Sequence, residues 1–166
     1  MEKLGYEYDL AVGFVPVDMD DGVNVGEGVS LDNADGVDIV IFKAEGTAGD
    51  DPVITLEQGI DGANYVALKV DHYYQKQDAD LAGIAWARVA VGVAGVGAAT
   101  ITGDGDSAEE QAIYLIPIEG DSLADGYNCV RATVADPGHA ELGCALYILR
   151  SLHAQRKPAN LPSTTS

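Results

Sequence analysis

Apolar and polar positions alternate in short runs separated by glycine, proline, asparagine and aspartate. That period of two predicts strands along most of the chain. From Leu10 to Val17, Leu10, Val12, Phe14 and Pro16 fall on one face and Ala11, Gly13, Val15 and Val17 on the other. Pro16 assigns that strand to an edge or a bulge, because it cannot donate to a ladder on its own side. Asp38–Ala44 is β-branched and apolar on both faces, the pattern of a central strand. Gly46–Pro52 is a turn, and Val53–Gln58 then alternates cleanly, so residues 38–58 read as a hairpin with a seven-residue connection.

Tyr65–Tyr74 alternates again, with Val66, Leu68, Val70 and His72 sharing a face, and Ile84–Val91 predicts a further strand. Residues 92–107 are rich in glycine, alanine, threonine and aspartate and read as a long loop or a weak edge strand. Glu110–Ile118 is a strand. Asp121–Gly126 is one helical turn, capped by Asp or Ser and ended by glycine. Tyr127–Val134 and Gly143–Leu149 read as a last strand pair. The sum is about eight short strands with turn signals between them, an all-β antiparallel sandwich or jelly-roll-like domain. The domain spans residues 10–150, with a flexible N-terminal arm at 1–9 and a polar, basic C-terminal tail at 151–166.

Composition narrows the function classes. Among 166 residues, 27 are Asp or Glu and 9 are Lys or Arg, a formal charge of -18. That balance argues against a nucleic-acid surface, whose affinity comes from cations that displace counterions. No run reaches the roughly 18 to 20 apolar residues of a spanning helix, so no membrane partner is expected. The start, Met-Glu-Lys-Leu-Gly-Tyr-Glu-Tyr-Asp-Leu, has neither the basic nor the apolar part of a signal peptide, and synthesis in a cytoplasm is expected. Cys129 and Cys144 then read as small buried hydrophobes.

Catalytic chemistry finds little support. There is no Gly-x-Ser-x-Gly, and His72, His139 and His153 stand in unrelated contexts. The two cysteines lie 15 residues apart with no second ligand pair, which argues against zinc. Carboxylates cluster at Asp18, Asp20 and Asp21 and at Asp104, Asp106, Glu109 and Glu110. The second cluster lacks the glycine at position six and the glutamate at position twelve of a calcium loop, and solvated acidic loops are the simpler reading. No cofactor or metal is expected, and the chain does not read as an enzyme.

Charge placement is more telling. Residues 1–51 hold 13 acids and only Lys3 and Lys43 as bases, whereas Arg150, Arg156 and Lys157 put a third of all bases into eight residues. A basic tail on an acidic body suits an arm that docks on another subunit. At the other end Lys3, Leu4, Tyr6 and Tyr8 offer a second contact segment, tyrosine being favoured at interfaces.

The stretch from Asp38 to Val53, Asp-Ile-Val-Ile-Phe-Lys-Ala-Glu-Gly-Thr-Ala-Gly-Asp-Asp-Pro-Val, resembles a group of small tailed-phage structural proteins encoded near the major capsid protein. Tyr74-Gln-Lys-Gln, Ser107-Ala-Glu-Glu-Gln-Ala-Ile-Tyr, the segment from Gly126 to Asp136 and Leu142-Gly-Cys-Ala-Leu-Tyr-Ile-Leu fit the same pattern, over about residues 10–150. The resemblance implies a virion component: a decoration, or cement, protein on the outer surface of an HK97-type head. Its partners would be the major capsid protein and itself, as a homotrimer at three-fold positions. A neck or tail component, adaptor or baseplate, is the nearest alternative, and a carbohydrate-binding sandwich a more distant one, with Trp86 the single tryptophan available for stacking. In the turn motif, formed by Gly46, Gly49, Asp50, Asp51 and Pro52, the two glycines permit positive φ and the two aspartates can bond turn amides.

Overall fold

A computed structural model describes residues 3–49, 51–103 and 109–154. Among them the chain is all-β: β1 (Tyr8–Asp18), β2 (Asn24–Val25), β3 (Val29–Ser30), β4 (Ala34–Lys43), β5 (Val53–Ile60), β6 (Ala63–Ala67), β7 (His72–Asp78), β8 (Ala87–Ala90), β9 (Thr100–Thr102), β10 (Gln111–Glu119), β11 (Cys129–Val134) and β12 (Leu142–Leu152). The first sheet has the order β1-β12-β4-β10-β7-β8. The second has the order β2-β11-β5-β6, with β3 beside β2 on β11 and β9 beside β6 on β5. Both edges of the second sheet are therefore built in two pieces; the short strands β2, β3 and β9, and the division of one expected run into β6 and β7, make twelve strands where about eight were expected.

Several sequence expectations hold. β4 is central, flanked by β12 and β10, and buries Val37, Ile39 and Ile41 against the second sheet. β1 is an edge strand, and its ladder slips between Val12 and Phe14 and again between Phe14 and Val17, so the Pro16 region is both edge and bulge.

Strand partners differ from expectation. β4 and β5 lie in different sheets, so residues 38–58 are no hairpin: the segment between Lys43 and Val53 crosses from one layer to the other. Both sides of β4 are taken by the longer apolar strands β10 and β12. Likewise β11 and β12 are not paired, β11 lying between β5 and the β2–β3 edge and β12 between β1 and β4. The alternating run Tyr65–Tyr74 is two strands, β6 in the second sheet and β7 in the first. Leu68 and Val70 at the crossing donate backbone N–H groups to the Leu56 and Ala98 carbonyls. Alternation specifies which face of a strand is buried and leaves its neighbour open. The strand expected at Ile84–Val91 contracts to β8. The helical turn lies at Gly120–Ser122, one residue earlier than expected and without a side-chain cap; the Ser122 hydroxyl donates to the Glu119 carbonyl at 2.6 Å.

Tyr147 ties the two layers together. It rises from β12 through the core, and its hydroxyl accepts a hydrogen bond from Ala132 N–H on β11 at 3.1 Å. That N–H faces the gap between β2 and β3, where no strand residue supplies an acceptor, while the neighbouring Ala132 carbonyl is met by Gly26 N–H at 2.9 Å. Burial pushes the Tyr147 phenol up to about 12 from its ordinary 10. The native state therefore keeps this proton where the unfolded chain has lost it, and stability falls as pH rises from 10 towards 12. A loss of roughly 2–3 kcal/mol from this group is expected across that window, read as an alkaline drop in urea midpoint that is smaller in Tyr147→Phe; what persists there includes Tyr65, whose phenol burial likewise pushes up to about 12.

Candidate functional site

The segment 3–8 and the end of β12 meet at one pole of the sandwich. Gly5, at φ 79°, allows the N-terminal segment to fold back: Gly5 N–H donates to the Tyr8 carbonyl at 2.7 Å, and Tyr6 and Glu7 N–H groups donate to the Lys3 carbonyl at 2.9 and 2.7 Å. Leu4 bridges Tyr8, which starts β1 opposite Arg150 near the end of β12. Ser151 N–H then donates to the Glu7 carbonyl at 2.9 Å. The far end of β12 is clamped by Asn33. Its carbonyl accepts His153 N–H at 3.0 Å, its side-chain oxygen accepts Ala154 N–H at 2.7 Å, and its amide nitrogen donates to the Ala154 carbonyl at 3.3 Å.

Between these segments runs an open groove of about 680 Å³, walled by Tyr6, Tyr8, Ile148, Arg150, Leu152 and His153. His153 Nε2 lies 2.7 Å from Asp35 Oδ1 and separates the groove from a second depression of about 500 Å³, which presents Asp32, Asp35, Glu119 and Asp121. The structure thus brings together five of the seven expected contact residues: Lys3, Leu4, Tyr6, Tyr8 and Arg150. Arg156 and Lys157 lie outside the described residues.

Two of the five are occupied internally. Lys3 Nζ stands 2.8 Å from Glu7 Oε2, and Arg150 reaches both Asp38 and Glu119 at 2.9 Å, so the Arg150 charge is held within the subunit. Burial raises the Asp38 carboxyl above its ordinary range, Arg150 opposing the rise and Glu119 adding to it. Tyr6, Tyr8 and Leu4 are left as the contact-forming side chains. Asn33, Asp35 and His153 carried no signal in the sequence: Asn33 and His153 flank β4 and β12, where no periodicity marks them, and Asp35 lies at the start of β4, ahead of the apolar run that identified the strand.

The turn motif lies at the opposite end of β4. Gly49 has φ 88°, whereas Gly46 is not among the positive-φ residues; in a chain crossing between layers rather than reversing in a hairpin, only one left-handed residue is used. Pro52 is buried next to the start of β5, Asp51 is partly buried, and Asp50 lies outside the described residues.

Other chemistry is dispersed. His72 Nδ1 is 2.5 Å from Asp71 Oδ1, a contact that holds the Asp71 carboxyl below its ordinary range. His72, Asp71 and Ser122 line a third depression of about 550 Å³, but the Ser122 hydroxyl donates to the Glu119 carbonyl. Asp18 caps the Met19–Asp21 turn and accepts Glu141 N–H at 2.9 Å. Among the described residues, no group of three or more His, Cys, Asp or Glu side chains is disposed to hold a metal ion. Trp86 is half exposed, with Lys76 Nζ 5.3 Å from its ring centroid. No described helix is long and apolar enough to cross a membrane.

Fold and pole together define an all-β sandwich with an open groove where residues 6–8 meet the end of β12. Comparison with family models, with curated proteins and with solved structures returns no match in any of the three.

Proposed function

We propose that the chain is a capsid decoration protein of a tailed phage, seated on the outer surface of an HK97-type head and stabilising it at three-fold and quasi-three-fold positions. Its partners are the major capsid protein and further copies of itself, as a homotrimer. The observation that supports this reading is the convergence of residues 3–8 and 150–154 on one pole. Tyr6, Tyr8 and Leu4 sit there against the end of β12, and the sequence beyond Ala154 carries Arg156 and Lys157. One foot of this kind allows each protomer a modest contact with the shell, and trimer avidity multiplies it without a deep pocket. The motif resemblance over residues 38–53 points the same way.

The test is to mix the protein with expanded heads that lack it and to image them by cryo-electron microscopy. Density at three-fold sites is expected, weakened by Tyr6→Ala, at an exposed side chain, or by removal of residues 155–166. Density only at the portal vertex or on tails would move the protein to the neck or tail. Bare heads and tails would overturn the virion reading and favour a carbohydrate-binding module instead.

A further inference from the structure

The two sheets differ on their outer faces. The second sheet behaves as a half-solvated antiparallel sheet should, polar outward: Arg131 and Glu57 pair at 2.7 Å on its surface, beside Thr55 and Thr133. The first sheet is apolar outward as well as inward. Val12, Leu146, Val40, Leu115 and Tyr74 stand in one cross-strand row through β1, β12, β4, β10 and β7. Cys144, Phe42 and Ile113 form the next row. Leu10, at 52 % exposure, Leu142, at 62 %, and Phe42, at 45 %, show that nothing among the described residues covers this face. Charge enters only at its borders, as the Asp38–Arg150 pair at one end and Lys76 and Arg88 on the β7–β8 side.

We propose that this outer face of the first sheet is covered by a second copy of the same chain. The charge pattern selects that occupant. Each chain carries -18, and two such bodies meet most readily where their carboxylates are absent, as they are along the row through Leu146. A basic partner would be drawn to the acidic remainder of the surface instead. Size agrees: five strands about 4.8 Å apart and seven residues at about 3.4 Å each make a face of roughly 600 Å² in projection. Its accessible area, larger than the projection, approaches the roughly 800 Å² per partner of a specific interface, and exceeds what a monomer usually leaves open. For the trimer the inference rests on the proposed function; for the surface it rests on the sheet alone.

Sedimentation of the full chain at micromolar concentration tests it. An assembly of two or three 17.3 kDa chains is expected, tightening as salt screens the residual repulsion. Leu146→Glu or Val12→Glu should weaken it by about tenfold or more, because a carboxylate is forced into an apolar contact. Val25→Glu, equally exposed on the second sheet's edge, should leave it unchanged. Bismaleimide should link copies through Cys144, the buried Cys129 staying silent. A wild-type monomer, an assembly indifferent to Leu146→Glu with its melting temperature retained, or one that salt dissolves would each overturn the proposal. An assembly that forms through this face yet fails to decorate heads supports the surface and removes the capsid reading.

Discussion

Lys43→Met is expected to destabilise the fold by about 3–5 kcal/mol, the usual consequence of breaking a buried ion pair from one side. Lys43 ends β4 on its inward face and is fully buried, as is its partner Glu141 in the segment before β12. The Lys43 ammonium also donates to the Ala44 carbonyl at 3.1 Å and to the Glu110 carbonyl at 2.8 Å. Asp18, accepting Glu141 N–H, adds the end of β1 to the same knot. Four segments far apart in sequence are thus tied at the pole opposite residues 3–8. Removing the ammonium leaves the Glu141 carboxylate buried without its cation, and two carbonyls lose a donor. The double variant Lys43→Met, Glu141→Leu removes both charges, and most of the lost stability should return. Urea denaturation of the two single variants and the double variant decides the matter: a double variant no better than Lys43→Met would show that the knot is held by packing rather than by the charge pair. At about 2–4 °C per kcal/mol for a domain of this size, the single variant should melt roughly 6–20 °C early.

Nothing in the sequence distinguished Lys43 from a solvated lysine. The run Asp38–Ala44 places it in phase with Val37, Ile39 and Ile41, yet a lysine at the end of a strand ordinarily snorkels into water. Its burial depends on Glu141, ninety-eight residues away, which only the fold supplies. The same limit explains the strand partners. Period-two patterns identified β1, β4, β5, β10 and β12 within a few residues, because each pattern is local. They could not say that β4 crosses to the other layer before β5, since any apolar strand can pair with any other. The terminal pole was half legible: Lys3, Leu4, Tyr6 and Tyr8 stood out as a contact segment, but the pairing of Tyr8 with Arg150, and the capture of Arg150 by Asp38 and Glu119, are tertiary. One signal was correct and incomplete. Asp38–Ala44 is apolar on both faces, as a central strand is, but its second face has no covering layer among the described residues, and it is there that a second copy is proposed.

The second large effect is expected at Gly26, in the gap between β2 and β3. A methyl group at this position would stand 2.4 Å from the Ala132 carbonyl oxygen and 2.6 Å from the Tyr147 hydroxyl. Gly26 is needed for close approach, not for left-handed backbone, since its φ is not among the positive values. The carbonyl belongs to β11, which is held on its other side by the whole ladder to β5, so it cannot retreat. The relief available is to lift the β2–β3 edge, which breaks Gly26 N–H to Ala132 carbonyl and uncovers the Tyr147 bond. Overpacking of this kind costs about 1–3 kcal/mol, and a buried N–H stripped of its acceptor about 1–3 kcal/mol more. Gly26→Ala should therefore lose roughly 2–6 kcal/mol on the same two grounds. Tyr147→Phe alone, which removes the acceptor of Ala132 N–H without a clash, should lose about 1–3 kcal/mol. Because both substitutions act on one contact, they should not add: Gly26→Ala should cost less in the phenylalanine background, where the hydroxyl is gone and only the carbonyl opposes the methyl. Additive losses in a double-mutant cycle would mean that the glycine and the tyrosine support the edge separately, and that the hydroxyl is not what closes the gap.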